Sequence, residues 1–210
     1  MINLLIVDDH PLIRQGLRQT FLDTDDIRVI DEAGDSASAI VKIQRNCYDA
    51  VILDISLPGR SGLDTLTQIK CLAPRLPVLI LSIYPENQYA VRVLKTGADG
   101  YLTKESPPDE LIQAIRKIVH GGKYVSPTLA EKLADNLADN NQTATHETLS
   151  DREFQTMLAI ANGKTVKEIA DELNLSVKTI STYRTRILRK MRLKNNAEII
   201  CYAVRQGLVK

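Results

Sequence analysis

Five residues with chemistry to offer each follow closely on a short apolar run. Asp8 and Asp9 come after INLLIV, Asp54 after AVIL, Ser82 after VLIL, and Lys104 after the run that holds Tyr101 and Leu102. Three carboxylates brought together repel, so each resists ionising unless a cation joins them. An all-oxygen donor set that keeps some water suits Mg²⁺ better than zinc. Lys104 adds a second positive charge and Ser82 a hydroxyl. A metal cation, an ammonium and a hydroxyl around one carboxylate are what phosphoryl transfer requires, because catalysis there is mainly positioning and the neutralising of oxygens on which charge develops. Asp54 is then the candidate nucleophile. Taken singly, each residue has a plainer reading: acidic residues at strand ends cap helices or face water, and a lone lysine is usually a surface residue. The signal is that all five sit at the ends of four different runs.

Those runs must be strands of one sheet if the five residues are to meet. Residues 2–7 are continuously apolar, and Ile13, Leu17 and Phe21 then recur at i, i+4, i+8, which reads as buried strand, loop, helix. The unit repeats: strands over 29–33, 50–53, 78–81 and 100–102 precede helices over about 36–46, 62–72, 86–96 and 107–120. Five alternations with nearly all-apolar strands predict an α/β domain, a doubly wound parallel sheet covered on both faces. Right-handed crossovers put the strand C-terminal ends along one edge, where sites usually lie.

The chain has 210 residues, with 27 Lys+Arg against 26 Asp+Glu and a net charge of +1. This length holds one domain or two small ones, each able to bury a core unaided. Apolar stretches fall far short of the roughly 18 residues that span a bilayer, and the N-terminus has no basic region before Asp8, so no membrane partner and a cytoplasmic location are expected. Cys47, Cys71 and Cys201 are odd in number and far apart, which argues against disulfides and zinc and predicts buried, reduced thiols. Charge is divided along the chain: residues 1–125 carry −2, residues 126–147 carry −3 and residues 148–210 carry +6. A basic C-terminal module points toward a polyanion, or toward no more than a solvated surface.

Gly121 and Gly122 stop the fifth helix, and Ser126-Pro127 opens another over 128–137. The polar stretch 139–146 then reads as a linker, giving domains over 1–122 and 148–210 joined by 123–147. Four short helices follow, over about 151–162, 165–173, 177–192 and 195–206, the first capped by Ser150 with Glu153 and the third by Ser176. Ile169, Ala170 and Leu173, the turn Asn174-Leu175-Ser176 and the helix from Val177 form a helix, short turn, helix pattern. Ile180, Ile187, Leu188 and Met191 mark the buried side of that last helix, leaving Lys178, Ser181, Thr182, Arg184, Thr185, Arg189 and Lys190 outward.

The stretches LLIVDDHPLIRQGL, AVILDISLPGRSGLDTL, PVLILSIY and GADGYLTKES make residues 1–120 resemble the receiver domain of two-component response regulators, a flavodoxin-like fold. The resemblance implies that Asp54 accepts a phosphoryl group from a sensor histidine kinase. It implies that Asp9 binds Mg²⁺ directly, Asp8 mostly through water, and that Asp54 and the Ser56 backbone carbonyl complete the protein ligands. Ser82 and Lys104 would contact the phosphoryl oxygens, and Tyr101 would be the aromatic switch. Lys104 is followed by Glu105, where many receivers have a cis-proline, which leaves the isomer of that bond open. His10 fits a structural role, since His-Pro commonly follows the acidic pair in this class; His120 and His146 receive no role.

LSDREFQTMLAIANGKTVKEIADELNLS and VKTISTYRTRILRKM make residues 148–207 similar to the LuxR-type output domain of the NarL/FixJ class, with Ser181 and Tyr183 resembling the BvgA and EvgA type of regulator. That implies a recognition helix over 177–191 entering the major groove of double-stranded DNA, and a last helix that pairs two output domains. The expected contacts are Lys178, Thr179, Ser181, Thr182, Tyr183, Arg184, Arg186 and Lys190, with Lys178 and Thr182 on base edges and Arg184 and Lys190 on phosphates. The expected protein is a transcription factor that dimerises on activation, and not an enzyme. An aspartyl phosphatase would show DxDxT, whereas Asp54 is followed by Ile55-Ser56; a flavin carrier would show a phosphate loop after the first strand.

Overall fold

The computed structural model describes residues 1–58, 61–127, 129–131 and 145–209. It divides into two compact units, Met1–Asp135 and Asn136–Lys210.

In the first unit five strands alternate with five helices: β1 (Ile2–Val7), α1 (Pro11–Leu22), β2 (Ile27–Ala33), α2 (Ser36–Arg45), β3 (Ala50–Leu53), α3 (Gly62–Leu72), β4 (Val78–Ser82), α4 (Glu86–Lys95), β5 (Gly100–Thr103) and α5 (Pro108–Val119). The strand order is β2-β1-β3-β4-β5 and every pairing is parallel. The chain therefore winds one way from β1 to β2 and the other way from β3 onward, and the crevice at that reversal opens where β1 and β3 end. Leu4 and Ile6 join Ile52, Leu79, Leu81 and Leu102 in a core closed by Leu17 and Phe21 of α1 and Leu111, Ile115 and Ile118 of α5. The alternate strand residues Leu5, Val7, Val51, Leu53 and Ile80 are buried as well, as a sheet covered on both faces requires.

Local chemistry places the helix starts. Pro11 opens α1, the Asp35 side chain accepts from the Ser38 amide at α2, and the Ser61 hydroxyl accepts from the Asp64 amide at α3. Gly121 takes a positive φ of 83° just past α5, a conformation open to glycine at little cost. β2 begins at Ile27, two residues before its expected start, because Ile2 of β1 already pairs there. The Ser126 hydroxyl accepts from the Leu129 amide, as a helix start demands. Most of the helix expected over 128–137, and the polar stretch 139–144, lie outside the described residues.

Among the described residues the second unit holds a 3-10 turn, Thr145–Thr148, and four helices: α6 (Asp151–Ala161), α7 (Val166–Glu172), α8 (Val177–Met191) and α9 (Asn196–Arg205). Ser150 with Glu153 and Thr165 with Glu168 form capping boxes, and Ser176 and Asn195 cap α8 and α9. Phe154, Met157, Ile169, Ile180, Ile187 and Ile199 are buried between the helices. Asn174 adopts φ 51° in the turn between α7 and α8, a left-handed position that Asn tolerates.

One expectation needs correction. All three cysteines are exposed: Cys47 follows α2, and Cys71 and Cys201 lie on the outer sides of α3 and α9. Amphipathic helices bury one stripe, and the Cys71 and Cys201 thiols fall on the other, while Cys47 lies in the loop beyond α2. His146, which has no partner nearby in sequence, has one in space: its Nδ1 lies 2.8 Å from the Tyr202 hydroxyl and its ring stacks on Phe154. The end of the expected linker is thus docked on α6 and α9.

Candidate functional site

The ends of β1, β3, β4 and β5 bring Asp8, Asp9, Asp54, Ser82 and Lys104 together. Lys104 Nζ lies 2.6 Å from Asp8 Oδ2 and 2.8 Å from Asp54 Oδ2, bridging two carboxylates whose residues are 2% and 1% exposed. The Lys104 amide donates to the Ser82 carbonyl at 2.8 Å, which ties the lysine loop to the end of β4. The remaining Asp54 oxygen, Oδ1, accepts from the Ser56 amide at 3.1 Å. Asp8 Oδ1 accepts from the His10 amide at 2.8 Å, and His10 Nδ1 sits between the acidic pair, 2.8 Å from Asp9 Oδ1 and 3.2 Å from Asp8 Oδ1. That ring is largely exposed, at the rim of the pocket.

Three carboxylates face one ammonium here. Burial holds the Asp54 carboxyl above the usual carboxylate range, with the Asp8 charge adding to it, and Lys104 only partly offsets them. Burial opposes the charge on Lys104, yet Asp54 and Asp8 outweigh it, so the ammonium holds its proton more tightly than an ordinary lysine. A further cation would relieve the excess negative charge. Ligand atoms of Asp8, Asp9, His10 and Asp54 all lie within 4.8 Å of one another, and Asp9 Oδ1 is buried without a hydrogen bond although His10 lies near it. An oxygen-rich cluster with an acceptor left over fits Mg²⁺.

Ser82 is fully buried, and its hydroxyl accepts from the Tyr84 amide at 3.2 Å. Tyr101 is also fully buried: its hydroxyl donates to the Tyr84 carbonyl at 2.6 Å, and burial pushes its pKa above the ordinary tyrosine value. Both expected switch residues thus grip the same backbone segment just after β4. The Lys104–Glu105 peptide bond is trans.

Sequence reasoning missed Gly62. A Cβ there would lie 2.3 Å from the Asp54 carbonyl oxygen, and the Gly62 amide donates to the Ile55 carbonyl at 2.8 Å. Glycine lets the start of α3 press against the backbone that carries Asp54. The signal available in sequence was a glycine directly after a helix cap, where a side chain would normally be tolerated.

In the second unit, α8 presents Lys178, Ser181, Thr182, Thr185, Arg186 and Arg189 to solvent, while Thr179, Tyr183 and Arg184 are half-buried. The two residues expected on phosphates, Arg184 and Lys190, both have side-chain partners within the unit. Arg184 Nε donates to Asn196 Oδ1 at 2.6 Å, and Lys190 Nζ lies 2.6 Å from Glu153 Oε2, the carboxylate of the α6 capping box.

Charge collected in a crevice of one unit and spread over an exposed helix in the other is the layout of a two-part signalling regulator, with a receiving module and a nucleic-acid-binding output. A model of the response regulator receiver domain matches residues 4–116, and a model of bacterial regulatory proteins of the luxR family matches residues 147–203. Response regulator UvrY of Escherichia coli K12 is 36% identical over 209 residues, covering 99% of this chain and 96% of the relative. Response regulator GacA of Pseudomonas aeruginosa is 35% identical over 211 residues, covering 100% and 98%. Among solved structures, RcsB from Salmonella enterica serovar Typhimurium, bound to promoter rprA in the presence of the phosphomimetic BeF3−, is similar with a TM-score of 0.65 at 26% identity, covering 96% of this chain and 97% of that one. The chain belongs to the NarL/FixJ-class response regulators, two-component transcriptional regulators that join a receiver to a LuxR-type DNA-binding domain. No helix among the described residues is long and apolar enough to cross a membrane.

Proposed function

We propose that Asp54 is the phosphoacceptor and that a sensor histidine kinase is the donor. An Asp54 carboxylate oxygen attacks the phosphorus of the kinase phosphohistidine. A P–O bond forms as the P–N bond breaks, and the imidazole nitrogen keeps the electron pair and takes up a proton. Asp9, Asp8, Asp54 and the Ser56 carbonyl would hold Mg²⁺, which supplies positive charge to the transferring oxygens. Lys104 turns from its carboxylate partners to the phosphoryl oxygens, and Ser82 donates its hydroxyl to them. When Ser82 turns, its bond from the Tyr84 amide is lost, and Tyr101, bonded to the Tyr84 carbonyl, follows; this pair is the switch. The observation that carries the reading is Lys104 Nζ bridging Asp8 and Asp54 within 2.8 Å in a crevice with an unsatisfied carboxylate oxygen.

The activated receiver, residues 1–122, then favours a homodimer, and the link over 123–147 delivers two output domains, residues 148–210, to DNA in the cytoplasm. Lys178 and Thr182 read base edges; Thr179, Ser181, Tyr183, Arg184, Arg186 and Lys190 complete the contact surface. The similar RcsB structure was solved bound to promoter rprA, which supports DNA as the partner. Such coupling needs no mechanical wire, since a receiver equilibrium biased by the phosphoryl group shifts the DNA-bound population.

Intact-mass spectrometry after incubation with a small phosphodonor and Mg²⁺ tests the assignment. The parent chain gains one base-labile phosphoryl group, and Asp54→Asn gains none. Undiminished labelling of Asp54→Asn, or labelling of the parent after metal removal, overturns it.

A further inference from the structure

α1 carries Arg14 and Arg18 one turn apart, and both reach Glu32 on β2. Arg14 Nε donates to Glu32 Oε2 at 3.0 Å, and Arg18 bonds the other oxygen. The second arm of the Arg14 fork does something different: Nη1 donates to the main-chain carbonyl of Asp8 at 2.6 Å. That carbonyl lies just beyond Val7, the last ladder residue of β1, so the sheet register does not fix it.

The carbonyl belongs to the planar peptide unit joining Asp8 to Asp9. Holding its oxygen fixes that plane, and with it the directions in which the two flanking carboxylates leave the backbone. Arg14 is itself mostly buried, and Glu32 clamps its other arm, so the guanidinium has little freedom to release the carbonyl. Arginine is suited to this task because its rigid fork serves a carboxylate and a carbonyl at once; a lysine offers a single mobile ammonium. Glu32 also compensates the charge of Arg14, which makes the contribution one of geometry more than of field. Burial works against ionisation of Glu32, yet Arg18 and Arg14 hold its carboxyl below the usual range, so the clamp is charged near neutral pH.

We infer that Arg14 is a positioning residue that presets the Asp8–Asp9 pair for its cation, with Glu32 as the group that holds it there. The inference rests on reading the pocket as a Mg²⁺ site. Groups that orient metal ligands typically contribute about 10–100-fold to metal affinity.

Mg²⁺ titration of the full chain by calorimetry, alongside thermal unfolding without metal, tests it. Arg14→Lys weakens Mg²⁺ binding about tenfold or more, and Glu32→Gln weakens it by less, because the bond to Asp8 survives. Arg18→Gln also removes a Glu32 partner but touches no pocket backbone, and leaves Mg²⁺ affinity unchanged. A lowered melting temperature with parent-like Mg²⁺ affinity in both Arg14→Lys and Glu32→Gln overturns the inference, because a merely structural clamp behaves that way. If Arg14→Lys fails to fold, Glu32→Gln against Arg18→Gln decides. A parent chain that binds no Mg²⁺ overturns the pocket reading and the inference together; a parent that binds, with Arg14→Lys equal to it, overturns the inference alone.

Discussion

Lys104 and Lys178 are both lysines at candidate functional surfaces, and their situations are opposite. Lys104 is held between two buried carboxylates within 2.8 Å, whereas Lys178 stands in water on the first turn of α8. The pocket concentrates charge where solvent cannot relieve it, so it carries an electrostatic cost that a cation or a phosphoryl group can redistribute. The α8 face carries no such burden; its charges gain when they displace counterions from a polyanion. One site is specified by packing, with Lys104, Asp8 and Asp54 each held by a neighbour and Asp9 Oδ1 left as the spare acceptor. The other is specified by which side chains are left outside, and substitutions separate the two.

The largest effect is expected where packing decides. Gly62→Val drives side-chain atoms into the Asp54 backbone, since even a Cβ would come within 2.3 Å of its carbonyl oxygen, and costs about 3 kcal/mol or more of first-unit stability. A smaller change in the second unit, Gly163→Ala, meets nothing within 4 Å and is strained only by its φ of 81°, costing about 1 kcal/mol. Urea unfolding read by hydrogen exchange on β3 and on α7 compares them. Equal losses at the two positions would show that the pocket backbone is less tightly determined than its geometry says.

Lys190 sharpens the contrast from the other side, because it is the α8 cation with a pocket-like partner. Lys190→Met leaves the Glu153 carboxylate, 3% exposed, without its ion pair. A fully buried pair broken this way costs about 3–5 kcal/mol; with Lys190 about one-third exposed, about 1–2 kcal/mol is expected. Burial opposes ionisation of Glu153, but Lys190 and the Ser150 amide hold its carboxyl below the usual range. The stabilisation is therefore present above the unfolded glutamate value, about 4.3, and is lost as pH falls through the lower folded value. The difference between parent and Lys190→Met narrows in acid. A gap independent of pH would remove the ion pair as its cause.

Asp54 carries the opposite sign and a smaller effect. Its folded carboxyl lies above the ordinary range through burial, so the folded state binds the proton more tightly than the unfolded chain. Its favourable contribution is present below the unfolded value, about 3.9, and is lost as pH rises through the folded value. Asp54→Asn removes that burden while Lys104 keeps Asp8, and raises metal-free stability near pH 7 by on the order of 1 kcal/mol. The gain shrinks toward pH 4. Thermal unfolding across pH checks it, and destabilisation at pH 7 would mean that the Lys104 bridge outweighs burial.

What could be read from the residues follows the same division. Strand ends were legible because parallel strands buried on both faces are apolar throughout, so the first polar residue after each run marks the sheet edge; β3 and α3 fall where their patterns place them. Ser150, Ser176 and the acidic pocket were legible because their partners are local or share that edge. Gly62 against Asp54, Arg14 against the Asp8 carbonyl and His146 against Tyr202 were not, since each depends on contacts that only the folded chain creates. The exposed thiols were misjudged because rarity and spacing argue against disulfides and metals but do not say which side of a helix a cysteine occupies.

The smallest expected effect is one of slope rather than of stability. Arg186 is exposed on α8, and Lys190 is engaged by Glu153. A side chain that neutralises a phosphate releases a counterion, and its loss flattens the dependence of log affinity on log salt by about 0.9. Arg186→Gln is expected to do this on specific and scrambled duplexes alike, with unfolding unchanged. Lys190→Gln, which can still hydrogen-bond Glu153, is expected to change the slope by less, because part of the lysine charge is already compensated inside the unit. Affinity measured at several salt concentrations for parent and both variants distinguishes them. A Lys190→Gln slope as flat as that of Arg186→Gln would show that DNA draws Lys190 away from Glu153, and the contrast between a partnered and an open cation on α8 would then end once DNA binds.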